Sequence, residues 1–348
     1  MPTEAPEPRP PLGVVLDGDL GNRPDALLAV ALLNGFTAKG EARRISLSLS
    51  RSSLTGARLA DVIAEFYPTL PLKAGFSTIG MPDGTPPAAD APALAELLAL
   101  KGPDGAPVYP SNVRRLVDTA DNAILIRNML LAEQDGNSAI VLAGPATGLA
   151  RLLGLYGSRP QIVAKVTRLV VAVGAFSGGR AEPAIASDVA AARRLFAEWP
   201  TPLVAVGSEV GEALRYPARS IDEGMAWAPA HPVAAAYRAL GKMPYEAPTA
   251  ALAAVLHAVH PDAGYFKLSE PGTISVLDDG QTRFTPKAEG THRYLIADPA
   301  QKARLLALYT SLVSAAPAPR PVKRQMPAAD AQTPPAAPAS VPPAPGKP

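Results

Sequence analysis

The sequence predicts an α/β protein built on a mostly parallel, open sheet flanked by helices, with a helical and hairpin part at its C-terminal end. Three observations predict it. Short apolar runs at Leu12–Leu16, Ala139–Leu142, Leu169–Val173 and Leu203–Val206 recur along the chain, each closed by Gly or Asp. They are continuously apolar rather than alternating, as strands buried on both faces are. Between them lie helix-length segments, and strand alternating with helix predicts parallel pairing.

The elements follow in order. Residues 1–11 are Pro-rich and read as disordered. Leu12–Leu16 reads as a strand that runs straight into Asp17 and Asp19, then the loop Leu20-Gly21-Asn22 and Arg23-Pro24-Asp25. Ala26–Leu33 continues as a helix, so the opening is strand, acidic turn, helix. Within Glu41–Ser50, Ile45, Leu47 and Leu49 alternate with serines, which predicts a second strand. Leu54–Tyr67 places Leu59, Val62, Ile63 and Phe66 on one helical face. Residues 68–110 are rich in Pro, Gly and Ala and read as an irregular excursion with a short helix near Leu94–Leu100.

Helices are then expected at Thr119–Glu133, Thr147–Tyr156 and from Ser187-Asp188 through Trp199, interleaved with the later strands. From His231 onward helices dominate, at Pro232–Leu240 and Thr249–Val259, with His231 as a cap. Leu277-Asp278-Asp279-Gly280-Gln281 sits between two strand-like runs and predicts a hairpin. Gln301–Val313 is a terminal helix, and residues 316–348 read as an unfolded Pro/Ala-rich tail. The folded part is therefore expected in 12–315.

Composition narrows the function. The chain has 348 residues, 47% hydrophobic, with a formal net charge of +2, so no nucleic-acid partner is indicated. The absence of cysteine excludes disulfides, thiolate zinc sites and a cysteine nucleophile. No apolar stretch approaches the roughly 20 residues of a membrane span. The N-terminus has neither a basic n-region nor an apolar h-region, which reads as cytoplasmic. A missing signal peptide would make it periplasmic or secreted.

The chemistry is expected at the first strand end. Ligands of open α/β sheets bind at the carboxyl ends of strands. Two acids two residues apart, Asp17 and Asp19, are suited there to a hard cation. The plainer alternative is that Asp17 serves a turn and Asp25 the start of the helix.

In four places the chain resembles the inosine-uridine preferring nucleoside hydrolase family. They are VVLDGDLGNRPDALLAV (14–30), IVLAGPATGLARLL (140–153), LVVAVGAF with 182–196, and the helix at 249–262. The resemblance implies hydrolysis of the N-glycosidic bond of ribonucleosides by a water activated on Ca²⁺. It assigns Asp19 as general base and metal ligand, Asp17 as the acid beside the metal, and the backbone carbonyl of Ala143 as a further ligand. In one register Asp25 grips the ribose hydroxyls; in a register one residue away it is a metal ligand. Glu182 is assigned to the sugar, and Glu246, just upstream of the helix at 249–259, is a substitute contact.

Other positions depart from the family pattern. Ala26, Ala184, Ala250 and Ala251 stand where the family carries a metal-binding Asp, an Asn, and an aromatic/His–Asp pair. Two readings follow. One is a ribonucleoside hydrolase with an impaired or rebuilt Ca²⁺ site, a homo-oligomer as family members often are. The other is a catalytically inactive homologue that binds a nucleoside or a protein partner. The D-x-D opening also resembles haloacid-dehalogenase-type phosphatases, but no acidic pair follows the strands ending near Leu142, Val173 and Val206. His257 and His260 are three apart on a helix without a third ligand in reach, Trp199 and Trp227 read mainly as packing residues, and Tyr245 reads equally as a base-stacking or a packing residue.

Overall fold

In the computed structural model the first apolar run becomes the strand from which the architecture grows. Residues 10–67, 80–81 and 91–317 are described below. The expected disordered N-terminus and C-terminal tail, and most of 68–90, lie outside them, apart from residues 10–11 and 316–317.

The first half of the chain holds β1 (Leu12–Gly18), α1 (Pro24–Ala38), β2 (Ala42–Leu49), α2 (Leu54–Phe66), β3 (Gly80–Met81), α3 (Pro92–Leu98), β4 (Ala120–Asp121) and α4 (Asn122–Leu131). β5 (Ser138–Ala143), α5 (Thr147–Gly154), α6 (Ser158–Lys165), β6 (Val166–Val171), α7 (Pro183–Ala186), α8 (Val189–Glu198), β7 (Leu203–Ala205) and α9 (Ser208–Ala213) follow. The last part holds α10 (Arg219–Glu223), α11 (Pro232–Leu240), α12 (Ala250–Val259), β8 (Phe266–Leu268), β9 (Gly272–Val276), β10 (Thr282–Pro286), β11 (His292–Ala297) and α13 (Lys302–Val313).

The main sheet runs β10-β9-β11-β7-β6-β5-β1-β2, with β8 beside β11. From β2 to β11 every neighbour is parallel; β8, β9 and β10 add antiparallel pairings at the far side. The chain leaves β1 for β2 on one side and later returns to β5 on the other. The strand order therefore reverses at β1, and in open α/β sheets ligands bind at the carboxyl ends beside such a reversal. Asp17 and Asp19 stand at that reversal.

Two apolar layers enclose the sheet. Val14 and Leu16 of β1 face the layer of α1, α2, α11 and α12, and Val15 faces the layer of α4, α5 and α8. Strand alternation thus turns Asp17 toward the second layer. α1 is buried from Asp25 to Phe36, all around rather than on one stripe. It packs against the sheet, α11, α12 and α13, which is why its sequence has no polar face. Each fully buried Leu of this helix contributes roughly 2 kcal/mol of transfer free energy.

Most expected elements are present with ends moved by a few residues. α4 starts at Asn122 rather than Thr119 because Asp121 caps it, accepting from the Ile124 N–H at 3.0 Å. α8 starts after Asp188, which accepts from Ala191 N–H. His231 caps α11 through Nδ1. The hairpin closes with the Leu277 N–H donating to Gln281 O at 2.9 Å. Several elements went unread in the sequence: α6, α7, α9, α10, β8 and β11. β11 matters most, since it joins β7 to the hairpin, and its burial does not alternate. No helix of the described residues is long and apolar enough to cross a membrane.

Candidate functional site

The site grows from the end of β1 outward. Asp17 pairs in register with Ser48 of β2 and Leu142 of β5 and is fully buried. The Ser48 hydroxyl donates to its Oδ1 at 2.8 Å, while Oδ2 has no partner among the described residues. Burial pushes its carboxyl up to about 7, opposed by hydrogen bonds from Ser48 and Asn122. Asp17 is thus a structural acid in the sheet.

Asp19 lies just past the strand, 4% exposed. Its N–H donates to the carbonyl of Ala143 at 3.1 Å, which fixes the ends of β1 and β5 together. Its two oxygens meet two side-chain donors: Arg51 Nε at 3.0 Å on Oδ2, and Asn22 Nδ2 at 3.4 Å on Oδ1. Gly144 makes this approach possible. A Cβ there would fall 2.1 Å from Ser50 Oγ and 3.2 Å from Asp19 Cβ.

Asp25 occupies the first turn of α1 and is 2% exposed. Arg23 grips it with two donors, Nε at 3.1 Å and Nη2 at 2.8 Å, and turns Nη1 to the carbonyl of Ala172 at 3.3 Å. The Ala251 N–H at the start of α12 adds a third donor at 3.2 Å. Burial pulls the Arg23 guanidinium down, but Asp25, with Glu182 and Asp19 beyond it, holds it above its ordinary value.

Glu182 feels both Arg23 and Asp25 electrostatically, so it belongs to the same cluster. Burial raises its carboxyl, with Arg23 opposing. Its Oε2 also caps α7 by accepting from the Ile185 N–H at 3.0 Å.

Glu246 is not brought in by any contact. Its side chain is exposed and has no hydrogen-bond partner among the described residues, and its carbonyl accepts from Arg215. Tyr245 stacks on Tyr237 at 4.4 Å and donates to its carbonyl, so it serves packing. His257 is buried, and His260 faces Glu41 at 2.6 Å. Trp199 is in the core, donating to Thr201.

Sequence reasoning gave no role to Arg23 or Arg51. A usable signal was present: both are cations on loops leaving the edge where the acids stand, and acids gathered at one edge call for counter-charge.

No family model matches the chain, and no curated protein matches it in sequence. Solved structures do match. The purine-preferring ribonucleoside hydrolase from Gardnerella vaginalis superposes with a TM-score of 0.64 at 16% identity, over 87% of this chain and 98% of its own. An inosine-uridine preferring nucleoside hydrolase from Bacillus anthracis gives 0.62 at 14% identity, over 87% and 99%. The type III effector protein XopQ, complexed with adenosine diphosphate ribose, gives 0.61 at 14%, over 88% and 94%. The fold is that of the nucleoside hydrolases.

On the nucleoside hydrolase fold the segments that carried the resemblance meet at one edge. The β1 end touches the β5 end through Asp19 and Ala143, Asp25 touches the start of α12 across 226 residues of sequence, and Arg23 links Asp25 to Glu182. The edge holds Asp17, Asp19, Asp25 and Glu182 together with Arg23 and Arg51. Among the described residues no group of three or more His, Cys, Asp or Glu is arranged to hold a metal ion.

Proposed function

We propose that the chain binds a ribosyl-containing small molecule in the crevice at the end of β1, and that it does so without calcium-driven hydrolysis. One observation carries this reading: the carboxylates that would serve a metal are already paired with guanidinium groups, Asp19 with Arg51 and Asp25 with Arg23.

The donor set does not suit calcium. Ca²⁺ takes six to eight oxygens, and its affinity follows the number of charged ligands. Here the Asp25 oxygens hold three N–H donors, and Asp19 Oδ2 holds one guanidinium. Asp17 faces Ser48 inside the sheet, and Ala250 and Ala251 offer no side-chain oxygen. A cation entering between Asp19 and Asp25 would first have to displace two arginines and would meet their charge.

Hydrolysis is hindered for the same reason. For Asp19 to take a proton from water, its 3.0 Å ion pair with Arg51 would have to open. What the crevice keeps is recognition. Carboxylates and guanidinium groups fixed by burial suit the vicinal hydroxyls of ribose, and Glu182, within electrostatic reach of Arg23 and Asp25, is the acid left to meet them. The fold is shared with hydrolases of ribonucleosides and with a protein complexed with adenosine diphosphate ribose, both ligand types built on ribose.

The experiment pairs two measurements on the full chain. Ribose release from inosine, uridine, adenosine and cytidine with calcium should not exceed that of Asp19→Asn. Titration calorimetry with inosine should give saturable binding. Ribose release well above the Asp19→Asn control would replace this reading with a working hydrolase.

A further inference from the structure

The two arginines of the crevice are used differently, and the difference bears on the ligand. Arg23 has spent its fork. Nε and Nη2 both bind Asp25, and Nη1 binds the Ala172 carbonyl. Arg51 gives Asp19 only Nε. Its two Nη groups have no hydrogen-bond partner among the described residues, and its side chain is 28% exposed. Four N–H donors in the planar geometry that matches an oxyanion therefore remain on it.

Apart from the Asp19 carboxylate that Arg51 already pairs with, the surroundings of Arg51 favour negative charge on a ligand. Arg51 follows β2 and stands just before α2, a 13-residue helix whose N-terminal end carries partial positive charge. The first turn of α2 abuts the loop after β1, since a Cβ on Gly56 would lie 3.5 Å from the Gly21 nitrogen. Beside it, the Ser50 hydroxyl is 1% exposed and without a partner among the described residues, in the gap between Gly144 and Asp19. Asp25 and Glu182 gather around Arg23 instead. The crevice thus has an acidic side suited to hydroxyls and a donor-rich side suited to an oxyanion.

We infer that the ligand is a phosphorylated ribosyl compound, with its phosphate taken by the open fork of Arg51. This rests on the ribosyl-binding reading above. A neutral nucleoside would leave the fork unused, whereas a phosphate fills it with charge-assisted hydrogen bonds.

The test is titration calorimetry on the full chain, in EDTA, with inosine, inosine 5′-monophosphate and inorganic phosphate. The monophosphate is expected to bind about tenfold or more tighter than inosine, and phosphate alone more weakly than the monophosphate. In Arg51→Lys, which keeps the charge and loses the fork, the preference should shrink to within about threefold. A second measurement needs no variant: in the unaltered protein, added KCl should weaken monophosphate binding and leave inosine binding nearly unchanged. Equal binding of inosine and the monophosphate, or a preference that survives in Arg51→Lys, overturns the inference and leaves the ribosyl reading standing. Phosphate binding as tightly as the monophosphate also overturns it, because the ribosyl part then contributes nothing. Failure of both inosine and the monophosphate to bind removes the ribosyl reading itself.

Discussion

Arg23→Ala isolates the cation that holds the site together. The substitution removes two donors from Asp25 and one from the Ala172 carbonyl. Asp25, whose side chain is 3% exposed, keeps only the Ala251 N–H at 3.2 Å. A buried charge stripped of its partner costs about 3–5 kcal/mol. That is a large share of the roughly 5–15 kcal/mol by which a domain is stable. Asp25→Asn should cost less, about 1–3 kcal/mol, because Arg23 is partly exposed and can hydrate. The double variant should be more stable than Arg23→Ala alone, with a coupling of about 2 kcal/mol. Urea denaturation of the four proteins at pH 7.5 completes the cycle. Arg23→Ala within about 1 kcal/mol of the parent, or no coupling with Asp25→Asn, would refute the reasoning.

Three further outcomes follow from the same geometry. The melting temperature should be the same in EDTA and in millimolar calcium, since a ligand that binds only the folded state would raise it; a clear calcium-dependent rise would contradict the arginine pairing. His231 is buried, which pulls its imidazole down to about 4 from 6.5. Its contribution is complete above about pH 6.5 and is lost as the pH falls toward 4, by up to about 3 kcal/mol. His231→Asn keeps a capping acceptor and should lose less stability than the parent between pH 7.5 and 4.5, as read by urea midpoints; equal acid sensitivity would count against it. Gly144→Ala places a methyl 2.1 Å from Ser50 Oγ and should cost about 1–3 kcal/mol in thermal or urea melts, with part of the loss recovered by adding Ser50→Gly.

The sheet was legible because its strands are buried on both faces and so read as unbroken apolar runs. Leu12–Leu16 and Leu203–Val206 carry that pattern without the aid of any partner. β11 was not legible: its place is set by parallel pairing with β7, and His292, Arg293 and Tyr294 do not alternate in burial. Short helices such as α7 and α9 are stabilised by packing and caps rather than by their own periodicity. At the site, Asp17, Asp19 and Asp25 stood out as acids at and just after the end of the first strand, and Glu182 only through the family resemblance. Their partners did not, because Arg51 reaches Asp19 across 32 residues and Ala251 reaches Asp25 across 226.

By itself, then, the sequence determined the fold class and the strand at whose end the acids stand. Those depend on local hydrophobic patterning, which each segment holds independently. Only the tertiary structure decided what the acids are paired with. Asp17 is turned into the sheet against Ser48, while Asp19 and Asp25 each meet a guanidinium. Electrostatic pairing depends on distances of a few ångströms between residues far apart in the chain, and spacing along the chain does not contain those distances.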